Sequence, residues 1–444
     1  MTSFQEEDLA DFGSVASIRK GAMDVGLDGR PNLVSLDVGD HYIKKGLDII
    51  SEVLKLNTES AISDIQFQTD RFVYIANADG LSKVNGIERL DGPDIVGILL
   101  ALVFNRDAGI AVSRELQERE KLSLARALTA RRKVDFSCEG GVAALVAHSG
   151  EHALEKGRFR VQAHFSATGL GVTCRILREN IMSLQETGLP DDIISSLVGF
   201  VQKKSGLGLI TGATGSGKTT TIAALIEWVR INLNKHVVTI EDPIEYHYPD
   251  MYVTKGRGEV TSNSLITQQE VGRDVLTFQQ GLEDALRKKP DIILLGEIRD
   301  AATMETCMEA AQTGHLVLST LHTRGAVKTM SRLLEFFPSA DTREALLTRI
   351  SESLLFILSQ GLLPPANGNK RVLCLEYLQN NDTASTSAIR KYAESANSLQ
   401  ELMIKPGNVQ WDKYLQQLYN QRLISQDVYR EYALDPSILN KSAR

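Results

Sequence analysis

Residues 206–221 read GLGLITGATGSGKTTT. They contain the spacing G-x-x-x-x-G-K-[ST], running Gly212, Ala213, Thr214, Gly215, Ser216, Gly217, Lys218 and Thr219. That spacing makes a phosphate cradle. The apolar run 207–211 has strand character, and the glycines after it let backbone N–H groups turn inward around phosphate oxygens. A helix opening near Lys218 adds the positive end of its dipole at the same spot. Lys218 is spaced to reach β- and γ-phosphates, the Thr219 hydroxyl to hold Mg²⁺, and Thr220 continues the same turn. The loop predicts ATP and Mg²⁺ as cofactors and leaves open what the nucleotide is used for.

Three further segments carry groups suited to the same chemistry. VTIEDPIEY puts Glu241, Asp242 and Glu245 at the C-terminal edge of a strand, where carboxylates orient an attacking water or hold Mg²⁺. PDIILLGEIRD has Gly296 where such a strand usually ends in Asp, and Glu297 carries the charge, with Arg299 and Asp300 behind it. TGHLVLSTLHT brackets a strand with His315 and His322. Each has a plainer alternative. An acidic residue after a strand also serves as N-cap of the next helix, and a histidine at a strand end is often a satisfied core group. All three in order behind the cradle favour a site.

The elements that must position these residues follow from periodicity. LGLIT, HVVTI, DIILL and LVLST are short apolar runs suited to parallel strands buried on both faces. Helical stretches at 219–230, 278–289 and 301–312 separate them, the pattern of an α/β sheet with nucleotide at the strand C-termini. Leu346, Ile350, Leu354 and Leu358 repeat at i, i+4 and predict one amphipathic helix stopped by Gly361 and Pro364. Upstream, GLDIISEVLKL and GPDIVGILLALVF read as helices, and SDIQFQT, FVYIANA, GRFRVQAHF and GVTCRIL as strands, giving an α+β module. Gly188 and Pro190 in LQETGLPDD suggest a hinge. The expected domains are a poorly ordered tail (1–40), an α+β domain (41–180), a hinge (181–190), an ATPase domain (191–365) and a helical region (366–444). Everything needed to hold and cleave ATP would then precede Pro364.

With 444 residues, two or three domains are expected. A net charge of −7 argues against a dedicated nucleic-acid binder. The acidic start MTSFQEEDLADFG lacks a signal-peptide pattern, and the apolar run 95–104 is about half of what spans a bilayer. Four scattered cysteines lack metal or redox spacing and are expected to fill cores in a reduced, cytoplasmic protein.

The order of cradle, TIEDPIEY, GEIRD and TGHLVLSTLHT resembles the bacterial secretion and pilus motor ATPases over about 191–365. ITQQEVGRD, LLEFFP, SQGLLP, SAIRKYAES and YNQRLISQDVYREYALDP are similar to PilT-like pilus-retraction ATPases. Only Ala388, Ile389 and Arg390 fit that branch's C-terminal helix motif well. GLEDALRKKPDIILLGE and SDIQFQT are also similar to DotB-like type IV secretion ATPases. The acidic tail and the 140–156 insertion match neither branch. The resemblance implies a RecA-like P-loop ATPase domain behind an N-terminal PAS-like domain, working as a homohexamer. It would act through an inner-membrane platform protein, peripherally at the cytoplasmic face, with no direct nucleic-acid contact. Glu245 or Glu241 would polarise water, Glu297 would support it, and His315 and His322 would sense the γ-phosphate or a neighbouring subunit. Arg158, Arg160 and Arg175 match positions that approach nucleotide in the family; on the bare sequence they are solvated strand-edge charges. Arg273 and Arg299 are further cationic candidates, the latter neutralised by Asp300. The expected task is pilus retraction. Type IVB secretion or conjugative transfer, a nucleic-acid motor, and a switch that hydrolyses slowly are the alternatives.

Overall fold

The computed structural model describes residues 36, 38–56, 62–77, 80–104, 114–131, 133–139, 158–177, 181–254, 258–368, 370–393 and 397–435. Most of the expected acidic tail and the 140–156 insertion lie outside them. The chain divides into two units, 1–179 and 180–444.

In the first unit, strands with alternate apolar residues build one antiparallel sheet. Its elements are α1 (Asp40–Lys55), β1 (Asp64–Gln68), β2 (Tyr74–Asn77), β3 (Gly80–Lys83), α2 (Gly92–Phe104), α3 (Arg114–Arg131), β4 (Lys133–Glu139), β5 (Arg158–Ser166) and β6 (Gly169–Leu177). The strand order is β3-β2-β1-β6-β5-β4. Along β5, Phe159, Val161 and Ala163 are buried while Gln162 is exposed, the period of two that one covered face demands. The apolar α2 fills the core, with Ile95, Ile98, Leu99 and Leu100 fully buried. It crosses α1 closely, because a side chain at Gly97 would strike the Tyr42 carbonyl.

The second unit begins with α4 (Asp191–Val201), β7 (Gly206–Thr211), α5 (Lys218–Asn232) and β8 (His236–Glu241). A ribbon of β9 (Met251–Thr254) and β10 (Gly258–Thr261) precedes β11 (Leu265–Glu270), α6 (Phe278–Leu286), β12 (Ile292–Leu295), α7 (Ala301–Gln312) and β13 (Leu316–Leu321). Next come α8 (Ala326–Glu335), α9 (Ala340–Ser353), β14 (Leu354–Leu363) and β15 (Val372–Gln379). The described chain ends with α10 (Thr383–Arg390), α11 (Asn397–Met403), α12 (Trp411–Asn420) and α13 (Gln426–Tyr432). The sheet order is β11-β8-β12-β13-β7-β14-β15, parallel from β11 to β14 and closed by antiparallel β15. Strands β7, β12 and β13 are buried throughout. Alternate residues serve two cores: Leu207, Ile293 and Val317 face one, and Ile292, Leu294 and Leu318 the other. Because the strands are parallel, their C-terminal ends share one edge, and the loops carrying Gly212, Asp242, Glu297 and His322 all leave from it.

Three expectations are corrected here. The amphipathic helix does not run on to Leu358: α9 stops at Ser353, and residues 354–363 form β14. A spacing of four suits a strand face as well as a helix face, and LLFILSQGLL is apolar on both sides, as a strand paired with β7 and β15 must be. The region beyond 365 is not purely helical either, since β15 completes the sheet. Nor does it stand apart, because Ile389, Tyr392, Leu399, Leu402 and Met403 lie in the same buried cluster as Leu207 and Leu209. Finally, the segment 181–190 is packed into this unit through buried Leu184 and Leu189. Among the described residues, Cys174, Cys307 and Cys374 are buried, and no helix is long and apolar enough to cross a membrane.

Candidate active site

The cradle is built as its glycines require. Gly212, Gly215 and Gly217 have φ of 145°, 77° and 91°, all in the region that favours glycine. At Gly212 space is limiting as well, since a Cβ would strike the Gln360 carbonyl and lie 2.5 Å from Ser216 Oγ. Helix α5 starts from Gly217 with no side-chain cap, so N–H groups of its first turn are left to an incoming acceptor. Ser216 Oγ is buried without a hydrogen-bond partner among the described residues. The buried Lys218 ammonium donates to the carbonyls of Gly212 (2.8 Å) and Ala213 (3.0 Å). These features fit a phosphate chain, which would meet uncapped N–H groups, an idle hydroxyl and an ammonium parked on its own loop. Burial lowers the Lys218 pKa, while Glu297 and Glu245 raise it, so both carboxylates act on this ammonium. Thr219 stands half-buried on the first helical turn, suited to a Mg²⁺ ligand. Thr220 is engaged elsewhere, its Oγ1 lying 3.2 Å from the Tyr246 hydroxyl.

Sequence reasoning missed the wall of this loop. Gln360 on β14 packs its carbonyl on Gly212 and donates through Nε2 to Thr221 Oγ1 (2.9 Å). It lies in the SQGLLP segment, whose helical assignment hid its place beside β7.

The other groups come from three neighbouring strand ends. After β12, Glu297 Oε1 accepts from Arg299 Nε (2.6 Å), and His322, just past β13, brings Nε2 to 3.4 Å from Glu297 Oε2. Arg299 Nη2 also donates to Asp242 Oδ2 (3.2 Å), after β8. Arg299 is therefore balanced by Glu297 and Asp242. Asp300, expected to neutralise it, caps α7 by accepting from Thr303 N (2.8 Å). Burial lowers the His322 pKa, and Lys218 lowers it further, against the raising effect of Glu297. The imidazole is thus neutral near pH 7 and able to donate one hydrogen bond.

Glu241 is placed differently from the expected metal ligand or water-polarising base. Its carboxyl is buried, with Oε1 accepting from Thr239 Oγ1 (2.7 Å) and Gln268 Nε2 (3.3 Å). Burial pushes its pKa up to about 7. Gln268 also donates to the Tyr246 carbonyl (2.8 Å), so this network braces the segment that carries Glu245. Glu245 is half-buried, and its charge acts on both Lys218 and Glu241.

His315 does not join the group. It precedes β13, at the opposite end of a six-residue strand from His322, seven residues and about 23 Å away at roughly 3.3 Å per residue. Its Nδ1 is buried there, and its carbonyl accepts from Gly206 N (3.2 Å). Arg273, in the turn after β11, pairs with Asp274 (2.8 Å). Arg158, Arg160 and Arg175 belong to the first unit, with Arg160 opposite Arg175 across β5 and β6. The exposed Arg175 pairs with Asp64 (2.9 Å).

The arrangement is that of a P-loop hydrolase: a phosphate cradle, two carboxylates acting on its lysine, and a neutral imidazole and guanidinium at the open edge. Comparison with known proteins agrees. The family described as Type II/IV secretion system protein matches residues 116–432. A twitching motility protein of Neisseria gonorrhoeae is 36% identical over 276 residues, 62% of this chain and 70% of that one. The crystal structure of the pilus retraction motor PilT with bound ADP superposes with a TM-score of 0.69 at 30% identity, covering 88% of this chain and 99% of that one. The structure of the Legionella pneumophila ATPase DotB gives 0.65 at 25% identity, covering 92% and 97%. With the second unit folded as a RecA-like α/β ATPase around this site, the chain belongs to the type II/IV secretion system protein family and is an ATP-hydrolysing enzyme of it.

Proposed function

We propose that this chain is a homohexameric, Mg²⁺-dependent motor ATPase that drives pilus retraction. It works at the cytoplasmic face of the inner membrane, on a platform protein. The observation that carries the reading is the convergence of Glu297, His322, Arg299 and Asp242 at the strand ends that face Lys218. A loop that only bound nucleotide would need none of them. When ATP enters, Lys218 exchanges the Gly212 and Ala213 carbonyls for β- and γ-phosphate oxygens. Thr219 would hold Mg²⁺, which would supply charge neutralisation for the phosphate chain. Glu245 and Glu297 orient the attacking water, and neutral His322 donates to the γ-phosphate. Arg299 offsets charge as it builds on the transferred group. In this reading the first unit is the PAS-like domain, the ATPase fold begins at residue 191 and runs through β15 to the core-packed α10 and α11, and Arg158, Arg160 and Arg175 serve the nucleotide of a neighbouring subunit.

A second reading is favoured by the near-equal superposition on DotB: the same motor would serve type IVB secretion or conjugative transfer. One experiment separates the two. The gene is deleted in its native host and replaced by wild type or Lys218→Ala, and pilus retraction and substrate transfer are both scored. Loss of retraction alone in the Lys218→Ala strain supports the first reading, and loss of transfer alone supports the second. Full function in both assays would refute the motor. ATPase activity that rises with added DNA would instead favour a nucleic-acid motor, which the net charge of −7 opposes.

A further inference from the structure

We propose that Arg324, clamped between Trp411 and Tyr432, is a positioning residue that sets His322 against Glu297, so that the C-terminal helices control the hydrolytic step. This rests on the reading of the Lys218–Glu297–His322 cluster as the hydrolytic centre. Residues 322–325 form the turn from β13 into α8. Two residues beyond His322, the Arg324 guanidinium carbon lies 5.5 Å from the Trp411 ring centre and 5.7 Å from that of Tyr432, within cation–π reach. Those rings open α12 and close α13. Trp411 is 1% exposed, and its indole N–H donates to the Tyr432 main-chain carbonyl (2.9 Å), which ties the start of α12 to the end of α13.

The turn is fastened from the other side too. Gly325 N donates to Ser359 Oγ on β14 (2.8 Å), and Ala326 N donates to Glu376 Oε1 on β15 (2.6 Å). The second oxygen of Glu376 accepts from Trp411 N (3.4 Å). One half-buried carboxylate thus joins the first residue of α8 to the first residue of α12. Trp411 also backs the cradle wall: a Cβ on Gly361 would lie 2.7 Å from its ring, and the adjacent Gln360 packs on Gly212. The His322 ring itself is half exposed and approaches Glu297 at only 3.4 Å, so the turn, more than local packing, aims it. Any displacement of α12 reaches His322 through Arg324 and the phosphate loop through Gln360.

The test uses the full chain, with steady-state ATPase activity and affinity for a fluorescent ADP. Arg324 is half-buried at the surface of the fold, so its replacement leaves the core intact. Arg324→Gln is expected to lower kcat about tenfold while leaving KM and ADP affinity within about twofold. Arg324→Lys, whose ammonium also sits over aromatic rings, should recover most of that loss. The decisive arm repeats Arg324→Gln in a His322→Ala background, where the further loss should be less than about twofold, because the group it positions is gone. An equal loss in both backgrounds, a loss confined to KM, or full activity of Arg324→Gln would overturn the proposal. If His322→Ala and Glu297→Gln both turned over ATP like wild type, the hydrolytic-centre reading would itself fail. If they lose turnover and Arg324→Gln does not, only the clamp fails.

Discussion

Burial decides what each glutamate at the strand ends does. Glu297 and Glu245 act on the Lys218 ammonium, whereas Glu241 is sealed beneath them with its pKa raised by desolvation to about 7. A raised carboxyl pKa has a definite consequence for stability. Between about pH 4.5 and 7 the folded chain keeps a proton on Glu241 that the unfolded chain has released. The stability from that proton is complete below pH 4.5, is lost as pH rises through 7, and is gone above it. The shift corresponds to about 3 kcal/mol at most. Glu241→Gln should therefore gain stability over wild type on going from pH 5 to pH 8, as measured by urea unfolding at each pH. A stability difference that stayed constant across that range would show that the buried carboxyl does not titrate as stated. The cradle residues and Glu297 were legible in the sequence because a local loop spacing and a strand end set them. The pairings of Gln268 with Glu241 and of Asp242 with Arg299 were not, because adjacent strands, and not the sequence interval, bring them together.

At the scale of elements, strands β7, β8, β12 and β13 were readable as short apolar runs, and their shared C-terminal edge followed from parallel order. Strand β14 was not, because its leucines at i, i+4 satisfy both periodicities; only its place between β7 and β15 decides between them. That error also made the C-terminal region look separable from ATP chemistry. The packing says otherwise: α10, α11 and the turn between them contribute Ile389, Tyr392, Leu399, Leu402 and Met403 to the core beneath the sheet. Removing one such side chain costs about 2–5 kcal/mol, so removing five exceeds the whole stability of an ordinary domain. Deleting 386–444 is expected to yield protein without a cooperative melting transition and without ATPase activity, whereas Leu402→Ala should melt several degrees lower and remain active. A soluble, ATP-hydrolysing truncation would contradict the shared core.

For the whole molecule the question is how the transition-state charge is matched. Lys218 and Arg299 sit in one ATPase unit, where Thr219 would hold Mg²⁺, and Arg299 is already balanced by Glu297 and Asp242. A further arginine, worth about 10³–10⁵ in rate where P-loop enzymes use one, would complete the site. Arg175 is a candidate, since its exposed pair with Asp64 is the kind that contributes little and exchanges readily. If a neighbour supplies it, mixing inactive Lys218→Ala protein with inactive Arg175→Ala protein should restore ATPase activity as concentration rises. Mixed rings without activity would exclude delivery between subunits. Beneath this question lies the hydrolytic centre itself, and the most direct measurement of it is made on the purified full-length chain. Mg²⁺-dependent ATP turnover by Glu297→Gln is compared with wild type, with nucleotide affinity read on the same preparations. The expected result is unchanged binding with turnover reduced by about 10²–10³. Turnover at the wild-type rate in Glu297→Gln would contradict it.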